Sequence, residues 1–314
     1  MYYQSLNRYL RSRFGGRIGK ICIDGGFSCP NRDGTCSTGG CIFCGERGAG
    51  EHIEPGIGIS RQVQRFLELQ GRHKTADGFI AYFQNFSNTH APVEVLRNRY
   101  EQSLIDPRIV VLAVGTRPDC ISEPVAALLS ELQVQFRGRE TLTGTYSPLF
   151  QTWVELGLQT ENDETARLIN RGYASSVFTN AVGILNRWNL PVVVHLIVGL
   201  PGESFDDLKR TVDFVNQHRI WGIKIHSLYV SRDTKLAELY RQKTFEPISQ
   251  EEYVERTVYV LTHVSPELVV HRLTGDCSPD RLIAPDWIAD KNQTILHINN
   301  CLESSSWRQG TFYG

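Results

Sequence analysis

Short apolar runs rich in β-branched residues alternate with longer amphipathic ones along most of this 314-residue chain. Residues 21–24, 79–83, 109–114, 152–158, 192–198 and 223–229 read as strands, being short and apolar. Between them, residues 60–69, 93–104, 123–132, 163–169, 177–188 and 205–216 carry the spacing of helices with one buried face. Such alternation predicts parallel strands joined by crossover helices. Six units, with a cysteine-bearing loop after the first strand, fit a partial (β/α)6 barrel better than a full eightfold one; an open doubly wound sheet is the competing arrangement. A helix over 250–263, a strand-like run at 268–273 and an irregular tail holding Pro279, Pro285, Trp287 and Trp307 predict a C-terminal extension packed on the barrel. The expected organisation is a basic N-terminal arm at 1–19, an α/β core barrel at 20–245 and the extension at 246–314.

Composition narrows the setting. With 41% hydrophobic and 21% charged residues and a net charge of −1, this reads as an ordinary soluble globular chain with no global attraction to nucleic acid. The longest apolar stretch, 191–201, is interrupted by His195 and is too short to span a bilayer, and the N-terminus lacks an apolar signal core. A cytoplasmic location follows as the expectation. There, eight cysteines, five of them in the first 44 residues, are metal ligands or reduced thiols rather than disulfides. Charge is uneven locally. Arg8, Arg11, Arg13, Arg17 and Lys20 interleave with Tyr2, Tyr3, Tyr9 and Phe14, with no acid among them, as a nucleic-acid arm would need. A solvated terminal helix anchored by a few rings explains the same residues equally well.

Cys29, Cys41 and Cys44 are spaced C-x11-C-x2-C on a glycine-rich loop just after the first strand. Three thiolates are one too few for a closed zinc site or a fully ligated cubane, and so suggest a cluster with one iron open to chemistry. Cys36 creates two rival groupings. Cys36, Cys41 and Cys44 begin a plant-type ferredoxin pattern that would need the distant Cys120, while all four cysteines of the loop could close a tetrahedral zinc site.

In βα folds the C-terminal strand ends form the active face. Distinctive residues follow five of the strands: 85–89, Arg117 with Asp119, 159–162, the glycine-proline turn 199–203, and His226 with Tyr229. Glu155 sits inside an apolar strand, where an unpaired carboxylate is costly, so it meets a cation or a ligand. His195, also mid-strand, reads more simply as a satisfied core histidine.

The segments DGGFSCPNRDGT with GGCIFC, YFQNFSNTHAPVE, GTRPDC, ELGLQT with INRGY, HLIVGLPGE, GIKIHSLYV and HRLTGD, in this order over nearly the full length, resemble the radical S-adenosylmethionine (SAM) enzymes. The resemblance is to the YhcC/YtqA-type subgroup, relatives of the elongator-subunit-3 proteins. It implies a [4Fe–4S] cluster on Cys29, Cys41 and Cys44, with SAM on the open iron and reductive cleavage giving a hydrogen-abstracting radical. It implies SAM contacts from Asn88, Thr89, Glu155, Gln159, Arg171 and the backbone of Ile197 and Gly199, with Arg171 pairing the SAM carboxylate. An electron donor such as flavodoxin or ferredoxin is implied as well. Three features depart from the pattern: Cys36, Tyr173 in place of the more usual histidine, and an apparent insertion over 133–151.

The resemblance extends to a tRNA substrate, with trimming of a wobble-uridine carboxymethylaminomethyl side chain as the analogous reaction. Arg117, Lys224 and His226 are the catalytic candidates, and His271, Arg272 and Asp276 further substrate-facing ones. For Lys224 and His226, strand alternation between barrel and helix layer is the plainer reading, and for His271 and Arg272 domain packing. Small-metabolite chemistry and a non-catalytic zinc or iron–sulfur nucleic-acid-binding protein are the alternatives.

Overall fold

The computed structural model describes residues 2–46, 48, 56–71, 76–140, 146, 147 and 149–314. Seven parallel strands form the main sheet: β1 (Ile18–Ile23), β2 (Gly78–Phe83), β3 (Ile109–Thr116), β4 (Gln151–Gln159), β5 (Val192–Val198), β6 (Gly222–Ser227) and β7 (Val269–Arg272). They neighbour one another in chain order. This is the partial barrel expected, with one strand more.

Alternation along each strand sorts side chains into two layers. Ile21, Phe79, Leu112, Val154, Val194 and Ile223 belong to the large core under the helices, whereas Ile80, Tyr82, Val111, Ala113, Trp153 and Val193 form a separate inner cluster. Helices α2 (Ile59–Gly71), α3 (Val93–Ser103), α4 (Glu123–Gln135), α5 (Asp163–Leu168), α6 (Ser175–Arg187) and α7 (Phe205–Asn216) join the first six strands. α7 opens with a reciprocal cap, Ser204 and Asp207 each accepting from the other's backbone N–H.

Two expectations are refined. Residues 2–14 are not an isolated arm but the ring-anchored terminal helix of the alternative reading. Helix α1 (Leu6–Phe14), capped by Ser5 and ended by Gly15 at φ 73°, closes the end of the barrel where the strands begin. Tyr9 stacks edge-on against Trp221, its hydroxyl donates to Gln151 3.0 Å away, and Val270 N–H donates to the carbonyl of Gln4. Nor is the C-terminal segment merely packed outside. β7 pairs with β6 and completes the sheet, with α9 (Gln250–His263) and α10 (Lys291–Ser304) covering it, α8 (Lys235–Arg241) preceding them. The apparent insertion holds the end of α4 and a two-stranded ladder, 139–140 with 146–147; residues 141–145 and 148 lie outside the described residues.

Candidate active site

The cysteine loop crosses the C-terminal strand ends, held by backbone and amide bonds rather than by regular structure. Gly40 N–H donates to Asn31 O, Ile42 N–H to Ile169 O, and the Asn170 amide to Gly40 O at 2.7 Å. The buried amide of Asn31 donates to Asn170 O and lies 3.6 Å from Cys41 Sγ. The INRGY segment is therefore the clamp on the loop. Cys44 donates a hydrogen bond to Cys41, which, with the nearby Arg117 and Asn31, overcomes desolvation and draws the Cys41 thiol down to about 7. Cys44 is raised correspondingly, and Cys29 adds to that rise. Three thiols thus share one electrostatic environment, with Arg117 and Arg32 at hand to balance anionic sulfur. Cys36 stands apart. It is exposed, with Sγ 3.9 Å from Asp119 Oδ2.

Among the described residues no three His, Cys, Asp or Glu groups surround a single ion. Three thiolates supply one sulfur each to three irons of a cubane and leave the fourth iron open. The donor set fits an iron–sulfur cluster.

Beside the triad, the Tyr173 ring lies between two guanidiniums, with Arg117 and Arg171 each 4.7 Å from its centroid. Its hydroxyl donates to Gly157 O and reaches Gln159 Oε1 at 3.4 Å. Gln159 holds a left-handed φ of 61°, unusual without glycine, and its amide fills the space a side chain at position 157 would occupy.

Arg171 is placed differently from expectation. Its guanidinium donates to Tyr173 O, Leu158 O, Thr160 O, Asp163 and Ser175, and its side chain is 1% exposed. Every N–H is engaged, so Arg171 first pins the loop after β4; a carboxylate would reach it only by displacing Asp163, its one charged partner. Thr89 is likewise occupied, by Thr116 and by Cys120 O. Asn88 donates to Gly115 O but keeps a buried, unpartnered Oδ1. Gly199 has φ 91°, and a side chain there would meet Ile248, so its glycine serves the turn. Ile197 pairs in register with His226.

Glu155 belongs to a second group, inside the barrel and away from the loop. It accepts from Trp153 Nε1 at 3.1 Å, from His195 Nε2 at 3.0 Å and from Lys224 Nζ, which also lies 3.1 Å from Tyr82 Oη. Desolvation pushes this carboxyl upward, but Lys224 and His195 outweigh it and hold the group well below the usual carboxylate range. Burial draws Lys224 down to about 7 against the pull of Glu155. Glu155 thus has three protein donors in place, Lys224 among them.

The structure brings Lys224 and His226 together in this lumen and leaves Arg117 at the cysteine loop, bonded to Asp119 and to Arg171 O. Asp276 is exposed and pairs with Lys291, outside the lumen. His195, Tyr82, Tyr173 and Lys20 were not singled out as site residues. For His195, Tyr82 and Lys20, polar side chains recurring at period two on half-apolar strands were the available signal, whereas Tyr173 lies between α5 and α6 where no such period runs.

Residues 34–215 match the model of the radical SAM superfamily, and 220–304 that of the radical SAM C-terminal domain. The chain belongs to the radical SAM superfamily. It is 38% identical to the uncharacterized protein YtqA of Bacillus subtilis over 314 residues, covering 99% of this chain and 92% of that one. It is 34% identical to protein YhcC of Escherichia coli, covering 93% and 90%. A tRNA uridine(34) acetyltransferase of Methanocaldococcus infernus matches at 29% identity over 48% of this chain and 26% of its own. The solved archaeal Elp3 of that organism superposes with a TM-score of 0.68 at 18% identity, covering 93% of this chain and 64% of the other, and so shares the fold. Enzymes of this superfamily use a [4Fe–4S] cluster and SAM. Among the described residues no helix is long and apolar enough to cross a membrane.

Proposed function

We propose that this radical SAM enzyme acts on a tRNA wobble-uridine side chain, of the carboxymethylaminomethyl type. The observation that carries the reading is the stacking of two layers: a cysteine loop over the strand ends and, beneath it, a lumen with titratable groups around Glu155 and Lys224. In it Cys29, Cys41 and Cys44 hold the cluster, and Gln159, Tyr173 and the Asn88 carbonyl border the SAM site. When bound, cluster and SAM together supply a reductively generated radical that removes a substrate hydrogen. The chain's own part is to position the substrate beneath that group and to hold protons at Lys224 and His226.

Support for RNA comes from the uridine(34) named in the partial relative and from the exposed Arg8, Arg11, Arg13 and Arg17. These arginines lie at the opposite end of β1 from the cysteines. A six-residue strand separates them by about 20 Å. They would grip RNA away from the reacting base. A small-metabolite substrate is the second reading, favoured by the depth of Glu155, which is 2% exposed.

The test compares modified nucleosides in tRNA from cells with and without the gene. Accumulation of the carboxymethylaminomethyl form in its absence is expected; identical tRNA in both would transfer the proposal to a small molecule.

A further inference from the structure

The lumen carries more positive charge than the protein itself neutralises. A bulge between Val270 and Arg272 makes His271 the extra residue of β7 and aligns Arg272 with Lys224, turning it onto the inner face. There the Arg272 charge is felt by Cys22, Tyr82, His195, Lys224 and His226. Lys20, on the inner face of β1, lies 4.9 Å over the Tyr82 ring. Among the described residues neither Arg272 nor Lys20 has a carboxylate partner, and the one carboxylate of this cluster, Glu155, is taken by Lys224 and His195. Lys224 is matched by Glu155, so Lys20 and Arg272 are the cations left without a balancing carboxylate. His226 Nε2 is buried without a partner, and so are both ring nitrogens of His271, whose side chain is 0% exposed between Trp153 and Trp221.

Cations in a partly closed site and buried ring nitrogens without partners are costly unless a ligand completes them. We propose that the lumen binds an anionic group of the substrate, a carboxylate or a phosphate, with Arg272 as its principal partner and Lys20 and His226 beside it. Arginine suits this task because its planar fork can take both oxygens at once. Lys224, held by Glu155, is a neighbour of the anion rather than its main partner. This rests on the substrate reading above only for the identity of the molecule bearing the charge.

The test measures binding by titration calorimetry on the anaerobically reconstituted protein, so its readout is independent of turnover. The probes are 5-carboxymethyluridine and its carboxamide, uridine 5′-monophosphate and uridine, and succinate and succinamide. A charge-assisted pair predicts that one acid binds about tenfold more tightly than its neutral counterpart. That preference should fall to within about twofold in Arg272→Gln, persist in part in Arg272→Lys, and weaken in Lys20→Gln. Preference for the carboxymethyl probe assigns a carboxylate, and preference for the monophosphate assigns a phosphate. Preference for succinate with none among the uridines supports the anion site while sinking the RNA reading. Equal affinities within every pair in the wild type, or an undiminished preference in Arg272→Gln, overturn the inference.

Discussion

Individual side chains set Cys36, turned toward Asp119, apart from Cys41 and Cys44. Because Cys44 hydrogen-bonds to Cys41 and Cys29 acts on Cys44, replacing any of the three with serine should abolish iron and sulfide retention after anaerobic reconstitution. Cys36→Ser should retain both, since its thiol turns toward Asp119. Iron lost from Cys36→Ser and kept by Cys29→Ser would reverse the assignment. Glu203, in the turn after β5, offers a separate check. Burial pushes its carboxyl up to about 7 from an ordinary 4.5, against a hydrogen bond from Thr160. The folded chain therefore keeps a proton that the unfolded chain gives up between those values, so this group's contribution falls as pH rises through that window and is lost above it. Glu203→Gln should stabilise the protein at pH 8 by about 2 kcal/mol, allowing for partial exposure, and change little below pH 5. Denaturant midpoints at the two pH values measure it, and an equal shift at both would refute the cause. The cysteine spacing was legible because covalent order fixes it. The engagement of Arg171 was not, because its five acceptors, three backbone carbonyls and two side chains, are brought together by folding.

Among elements, the loop after β4 depends on Arg171 as a strut. Arg171→Ala would leave Leu158 O, Thr160 O and Tyr173 O without their donor and should destabilise the protein by about 3–5 kcal/mol. Thermal and denaturant melts read this directly. An unchanged melt with selective loss of SAM affinity would instead make Arg171 a ligand contact. Strand and helix positions were readable in sequence because their apolar residues obey the two periods; the residues predicted for β5, α7 and α9 coincide with the elements found. α1 and β7 were legible as elements, but the way they join the barrel was not. α1 anchors with one leucine and a few rings among arginines, and a bulge in β7 breaks the alternation that would have revealed Arg272 as an inner residue.

At the scale of the molecule, one end of the sheet carries the cysteine loop and the other is closed by α1, so the lumen opens toward the cluster side. If α1 grips RNA, Arg8→Ala, Arg11→Ala and Arg13→Ala combined should weaken tRNA binding and flatten its salt dependence while leaving the melt unchanged, since all three are exposed. Filter binding at several salt concentrations tests this, and an unaltered affinity and slope would remove α1 from the interface. Superfamily membership supports radical SAM chemistry, and the proposal places its cluster on Cys29, Cys41 and Cys44. The most direct measurement is 5′-deoxyadenosine release from SAM by the reconstituted, dithionite-reduced protein. Wild type and Cys36→Ser should release it and Cys41→Ser should not; a wild type holding about four irons that releases none, or a Cys41→Ser that does, would contradict the account.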